Sequence, residues 1–458
     1  MSNGFNVGIT IFGGTGDLSY RKLLPALYNL YIRKALPENY NICIIGRRNY
    51  STEDFINIID SWIRKFARLE INELVLQEFY KHINYMKLDF TKIENYALLQ
   101  EYYSTNPVKN HIVYLAVAPE FFRIISDGIA KTPAIKKPKI VLEKPFGENL
   151  QDAKELNSIL EYVFGANNIY RIDHYLGKEM VRNILTIRYS NPIFANVWNK
   201  ENIECVHISA LETNGIGTRA GYYDNAGAVK DMVQNHLLQI LSIVALDDPN
   251  GNLSQEQLKV LQSLRSIDKL DFNDTLILGQ YKGYTCEKNV NENSNTETYA
   301  ALKLFIDNER WQDVPFFIRT GKKCAEGEME VKITFKRINP KIEPNLLIIK
   351  IQPVEGVYLE FNIKTPGEEI GRTKAKMEFC QNCNDIFRLN TPEAYERMLL
   401  ACINSDNSWF SQWQQIETSW NYIQTITDNY TRPVYSYEPG SFGPTQIAEL
   451  ATRKDHDW

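Results

Sequence analysis

VGITIFGGTGDLS, residues 7–19, decides the fold of this chain. Its first half, Val7 to Phe12, is a mainly apolar run of strand length, which reads as a buried strand. From about Leu18 to Arg33, the residues Leu23, Leu24, Leu27, Leu30 and Tyr31 recur at helical spacing. Gly13, Gly14, Thr15, Gly16, Asp17 and Leu18 therefore form a turn between a strand and a helix. Gly14 and Gly16 take the first two glycine positions of the G-x-G-x-x-G dinucleotide fingerprint, and Ser19, a small residue, takes the third. Glycine there admits positive φ and lets the backbone close on a pyrophosphate seated at the helix N-terminus.

Outward from that loop the same rhythm continues. NICIIG (41–46), INYMKLDF (83–90), HIVYLAV (111–117), KIVLEKPFG (139–147, running into a loop) and NIYRIDHY (168–175) read as strands, with helices over Phe55 to Phe66 and Gln151 to Val163. Strands alternating with helices make βαβ units and a parallel sheet. After about residue 180 the period becomes two, in ECVHISALE (204–212), YAALKLFID (299–307), VKITFK (331–336) and LLIIKIQ (346–352). Such strands suit an antiparallel sheet with one covered face. The stretch from Pro392 to Ile423 looks helical, and NVNENSNTE (289–297) reads as an exposed loop. The expectation is an α/β dinucleotide-binding domain over residues 1–178 and an α+β domain with a large, mainly antiparallel sheet over 179–458.

Composition narrows the function. The chain has 458 residues, 44% hydrophobic and 23% charged, which suits two or three globular domains. A net charge of −5 supplies no general basic field, so no nucleic acid or anionic membrane is expected as a partner. Any phosphate must meet a local basic cluster. The N-terminus lacks the charged and apolar regions of a secretory signal, and no spanning run of apolar residues occurs, so a cytoplasmic protein is expected. The seven Cys resemble no disulfide framework, and Cys380 with Cys383 reads as two reduced thiols on a loop.

The end of the second strand selects the coenzyme. An NAD site tends to place an acid there, whereas here Gly46 is followed by Arg47 and Arg48 with no acid until Glu53. Guanidinium groups bind a 2′-phosphate bidentately, so NADP is expected, with NAD possible as a second coenzyme. Glu143-Lys144-Pro145-Phe146-Gly147 falls at the carboxyl end of a strand, where open parallel sheets bind ligands. Lys144, extended before proline, can point its ammonium at nicotinamide or substrate.

Two further stretches carry candidate chemistry. In Arg171-Ile172-Asp173-His174-Tyr175-Leu176-Gly177-Lys178, a helix with Met180, Val181, Ile184 and Leu185 inward starts near Gly177. His174, Tyr175 and Lys178 then gather at a helix N-terminus, a seat for phosphate, or else Asp173 merely caps beside a surface His and Lys. Farther on, Val229, Met232, Val233, Leu237, Ile240 and Val244 form one stripe on a 3.6-residue wheel, with His236 in its middle. His236 is a core residue or a base. Asp231 lies well round that wheel from it, so Asp173 is the carboxylate available to orient its ring. Oxidising an alcohol needs a base with pKa near working pH, backed by a carboxylate that fixes the tautomer. The six His show no HxxxH or HxH pair, and no metal is implied.

At these residues the chain resembles the glucose-6-phosphate dehydrogenase family. Gly13 to Ser19 resembles its GxxGDLA coenzyme loop, Glu143 to Gly147 its EKPFG motif, and Arg171 to Lys178 carries its RIDHYLGK string unchanged. Glu212-Thr213, Gly221 to Asp224, Asp231 to Gln239 and Val314 to Lys322 match in order. The resemblance implies a Rossmann domain followed by an α+β domain, assembled as homodimers or homotetramers. It implies oxidation of glucose 6-phosphate at C1 to the 6-phospho-1,5-lactone with hydride transfer to NADP, the first step of the oxidative pentose phosphate pathway. By the same resemblance His236 is the base and Asp173 its partner, and His174, Tyr175 and Lys178 hold the 6-phosphate. Glu212, Asp231 and Lys322 bind sugar hydroxyls. Lys22, on the substrate side, and Lys144, on the coenzyme side, lie between the two.

Two departures stand out. The family has a basic residue where this chain has Gly327, and animal members use a Lys for a structural NADP site where this chain has Glu328, so that site is not expected. Two other readings share parts of the pattern. Oxidoreductases of the glucose–fructose oxidoreductase type carry a Glu-Lys-Pro motif but not usually the DHYLGK cluster. A non-catalytic NADP sensor would need the glycine loop but not His236 with Asp173.

Overall fold

The computed structural model describes residues 4–248, 252–266, 274–367, 371–381, 391–451, 456 and 458. The chain falls into two compact units, Met1–Gly177 with Thr391–Trp413, and Lys178–Asn390 with Gln414–Trp458.

The first unit is built on six parallel strands, β1 (Phe5–Phe12), β2 (Tyr40–Gly46), β3 (Ile83–Lys87), β4 (Val108–Leu115), β5 (Lys139–Leu142) and β6 (Ile169–Arg171), in the order β3-β2-β1-β4-β5-β6. Every residue of β2 and β5 is buried, which is why these strands read as continuous apolar runs. The order reverses between β1 and β4, and Gly13 to Leu18 leaves β1 at that switch point. β6 ends sooner than its apolar pattern suggests. Asp173 turns the chain, its carboxylate accepting the Tyr175 N–H at 2.9 Å and its carbonyl the Leu176 N–H at 3.0 Å.

The expected helical stretch from Pro392 to Ile423 is two helices, Ala394–Ile403 and Trp413–Asp428. The first packs Met398, Leu399 and Cys402 into the core that also holds Leu23, Leu24 and Leu27. Glu396, buried on this helix, is held by Arg68 at 2.8 Å and by Asn29 at 3.1 Å. Arg68 and Asn29 lie far away in sequence, and the Glu393 N–H adds a local donor at 3.2 Å, so most of the charge is satisfied by long-range contacts.

The second unit carries nine strands: β7 (Ile203–Leu211), β8 (Leu276–Tyr281), β9 (Tyr299–Leu304), β10 (Phe316–Gly321), β11 (Glu328–Phe335), β12 (Leu346–Gln352), β13 (Gly356–Lys364), β14 (Arg372–Cys380) and β15 (Tyr435–Tyr437). Their order is β14-β13-β12-β11-β7-β10-β9-β8-β15. β7 with β10 and β8 with β15 are parallel, and the other neighbours antiparallel. Burial alternates along β11 and β12, as expected for one covered face, while β9 and β10 are buried throughout.

Three local expectations change. Val229–Leu237 hydrogen-bonds i→i+5 and only then becomes the ordinary helix Leu238–Ala245, so the 3.6-residue wheel misplaces its side chains. The loop 289–297 is exposed at 291–293, but its last residue, Glu297, turns inward. Cys380, at the end of β14, is disulfide-bonded rather than a reduced thiol, and Cys383 lies outside the described residues. Among the described residues no helix is long and apolar enough to cross a membrane.

Candidate active site

In the first unit the glycine loop has the geometry of an anion cradle. Gly13 sits at φ +77°, and a Cβ there would come within 2.2 Å of the Ala116 carbonyl oxygen, which only glycine avoids. The helix that follows opens with i→i+5 turns over Ser19–Leu23 and continues over Leu24–Ile32, and no side chain caps its start at Leu18. The first N–H groups, at the positive end of the helix dipole, are thus without a side-chain cap. Asp17 pairs with Arg21 at 2.6 Å, and Lys22 with Glu393 at 3.1 Å. Arg47 and Arg48 lie exposed just past β2, beside the switch point, with Arg48 Nη1 donating to Tyr50 Oη at 3.3 Å. An uncapped helix start, a glycine turn and two exposed guanidiniums match the needs of a dinucleotide bearing a 2′-phosphate.

At the carboxyl end of β5, Lys144 is half-buried, and Glu143 shows a role that sequence reading missed. Its carboxylate accepts the Tyr114 hydroxyl at 2.5 Å and is hydrogen-bonded by Tyr395 from the helix Ala394–Ile403. Withdrawal from water pushes the Glu143 carboxyl up to about 7; the two phenols and Lys144 oppose the rise and Asp173 adds to it. The one sequence signal was a carboxylate directly before Lys144 at a strand end.

This shift yields a stability prediction. The folded carboxyl ionises later than the unfolded one, so stability falls as pH climbs from the ordinary carboxylate range to about 7. Glu143→Gln removes that dependence. The variant's Tm minus the parent's should rise from about pH 5 to about pH 8. A difference that stays flat across the window would contradict the assignment.

Asp173 and Tyr175 are buried, His174 is half-buried, and the His174 and Tyr175 rings stand 4.4 Å apart between centroids. The first unit thus brings Asp173, His174 and Tyr175 into one turn.

The second unit gathers Glu212, Asp231 and Lys322 around Tyr223, carries His236 on the same helix as Asp231, and places Lys178 at the start of another helix. β7 and β10 run parallel with Leu211 opposite Gly321, so the next residues, Glu212 and Lys322, leave the same edge side by side. Their side chains form an ion pair in which the Lys322 side chain is 4% exposed and that of Glu212 37%. The Lys322 ammonium lies 5.5 Å from the Tyr223 ring centre. Burial drives the Tyr223 hydroxyl far above its ordinary range, and the carboxylates of Asp231, Glu297 and Glu212 push the same way. Tyr223 marks where these acidic groups converge.

Asp231 and His236 are both buried. They are one i→i+5 repeat apart, so they fall close to one face of the helix Val229–Leu237, where a 3.6-residue wheel separates them. Lys178 immediately precedes the helix Glu179–Tyr189 and donates to Gln352 Oε1 at 2.5 Å. Lys323, beside the Gly327 departure, pairs with Glu287 at 2.9 Å.

Comparison with known proteins agrees with this geometry. The family model described as glucose-6-phosphate dehydrogenase, NAD binding domain, matches residues 10–183, and the C-terminal domain model of the same family matches 185–458. Glucose-6-phosphate 1-dehydrogenase of Bacillus subtilis is 37% identical, over 98% of this chain and 97% of the relative. That of Borreliella burgdorferi is 38% identical, over 99% and 98%. A solved glucose-6-phosphate dehydrogenase in complex with its substrate glucose-6-phosphate superposes with a TM-score of 0.87 at 31% identity, covering 100% of this chain and 99% of that one.

Proposed function

This chain belongs to the glucose-6-phosphate dehydrogenase family, and on that premise we propose how its residues divide the work. The reaction is oxidation of glucose 6-phosphate at C1, with NADP as the hydride acceptor. The coenzyme supplies the electrophilic nicotinamide carbon; the chain's residues bind, orient and move the proton.

His236 takes the proton from the C1 hydroxyl as hydride departs, and Asp173 holds the imidazole in the accepting tautomer and stabilises the imidazolium. Glu212, Asp231 and Lys322 receive sugar hydroxyls. His174, Tyr175 and Lys178 receive the 6-phosphate. Gly13, Gly14, Thr15, Gly16, Asp17 and Leu18 take the pyrophosphate, and Arg47 and Arg48 the 2′-phosphate. Lys22 and Lys144 stand between coenzyme and sugar. The carrying observation is the cluster in the second unit, where the Glu212–Lys322 ion pair, Tyr223 and the buried Asp231 converge, with buried His236 one helix repeat from Asp231. Paired charges gathered with a buried carboxylate one helix repeat from a buried imidazole suit a polar sugar better than a core packing role.

The proposal includes a homodimer or homotetramer, supported by Ile363, Met377 and Phe379 standing exposed on the outer strands β13 and β14. It also includes a cytoplasmic setting.

Two assays test the division. NADPH formation should run at least about a thousandfold faster, by kcat/KM, on glucose 6-phosphate than on glucose, because several charge-assisted contacts to phosphate are lost together. Equal rates would point to a sugar oxidoreductase without a phosphate seat. Replacing Arg47 and Arg48 with Ala should raise the KM for NADP at least about tenfold and that for NAD less than about twofold. Equal effects on both coenzymes would remove the arginines from the 2′-phosphate.

A further inference from the structure

Glu297 lies outside every role assigned so far, yet its carboxylate sits against the start of the helix that carries Asp231 and His236. Its Oε1 accepts the N–H of Val229, the first residue of the i→i+5 stretch, at 3.1 Å. Its main-chain carbonyl accepts the N–H of Ala228 at 2.9 Å. One residue on a distant loop thus meets two of the N–H groups that a helix start leaves open. Gly227 makes the room: it sits at φ +67° and ψ 176°, and a Cβ there would come within 2.2 Å of Glu297 Oε1. Burial raises the Glu297 carboxyl, while the N–H groups of Val229 and Glu297 itself and the charge of Lys230 hold it down. The contact caps the positive end of the helix.

The register of this helix needs such an anchor. Backbone wound i→i+5 is rare and is kept where surrounding contacts impose it. The five-position step from Asp231 to His236 is one repeat in that winding but about 1.4 turns of an α-helix. Rewinding from the N-terminal end would swing the carboxylate and the imidazole onto different faces. We infer that Glu297 is a positioning residue for the reaction, which fixes the winding of Val229–Leu237 and through it the placement of Asp231 and His236. The inference rests on the proposed role of His236 as base.

Three variants, measured beside His236→Asn, test it. Glu297→Ala should fold and bind NADP with a Kd within about twofold of the parent, while kcat falls at least about tenfold. Glu297→Gln keeps an oxygen for the Val229 N–H and should return kcat to within about threefold of the parent. If Glu297→Ala fails to fold, Glu297→Asp decides, since it withdraws the carboxylate by one methylene and should lower kcat with Tm largely kept. A purely structural role would lower Tm and leave the kcat of the folded fraction alone. Parental kcat in folded Glu297→Ala or in Glu297→Asp overturns the inference, as does a Gln variant as impaired as the Ala one. If His236→Asn keeps the parent's kcat, the reading of the base fails; if His236→Asn is inactive while the Glu297 variants are normal, only the positioning role fails.

Discussion

Lys178→Ala is expected to raise the KM for glucose 6-phosphate about 10- to 150-fold while leaving NADP affinity nearly unchanged. The size follows from losing one charge-assisted contact, worth roughly 1.5–3 kcal/mol, converted at about 1.4 kcal/mol per tenfold. The selectivity follows from where the residue stands. Lys178 immediately precedes the helix Glu179–Tyr189, so its ammonium adds to the positive end of a helix dipole. Gln352, at the end of β12, accepts from its Nζ and restrains it before any ligand arrives. Gln352→Ala should therefore raise KM in the same direction by a smaller factor, since the charge survives and only its restraint is lost. A KM shift below about twofold in Lys178→Ala would place the phosphate elsewhere.

The largest effect is expected at His236. His236→Asn should fold, bind NADP and glucose 6-phosphate near the parent's affinities, and lose several powers of ten in kcat. Asparagine fills most of the volume and keeps polar atoms, so the buried site is not left with a cavity. It cannot accept the hydroxyl proton, and general-base catalysis alone contributes typically ~10²–10⁴-fold. Without a base the leaving hydride would strand a protonated carbonyl oxygen. A core histidine would behave in the opposite way, with Tm lowered and the kcat of the folded fraction near normal. The position of His236 one i→i+5 repeat from Asp231, in the unit that holds the Glu212–Lys322 pair, favours the first outcome.

The legibility of the chain tracks how local its causes are. β1 and the glycine loop could be read directly, because burial on both faces makes a strand mainly apolar and the turn chemistry lies within seven residues. β11 and β12 could be read from period-two alternation, since only one face is covered. The helix Val229–Leu237 could not. Its winding depends on Gly227 making room for Glu297, and nothing inside the helix announces a contact from 68 residues away. The motif residues Asp173, His174, Tyr175 and Lys178 were found by their string, but the partners that hold them were not. Gln352 lies 174 positions from Lys178, and the Glu393 that pairs with Lys22 lies 371 positions away. Glu143 stood in plain view beside Lys144, yet the burial that raises its carboxyl, and the tyrosines from β4 and from the returning helix Ala394–Ile403 that oppose the rise, come from distant segments. Periodicity reports which faces are buried, whereas the chemistry of a site is set by long-range neighbours.

Whether His236 and Asp173 work as one catalytic unit is decided by kcat for His236→Asn, Asp173→Asn and the double variant, measured under one set of conditions. Asp173→Asn should lose a substantial part of the factor lost by His236→Asn, and the double variant should be little worse than His236→Asn alone, because groups acting through one proton transfer are non-additive. Independent, multiplying losses, or a folded His236→Asn enzyme with kcat within about tenfold of the parent, would contradict it.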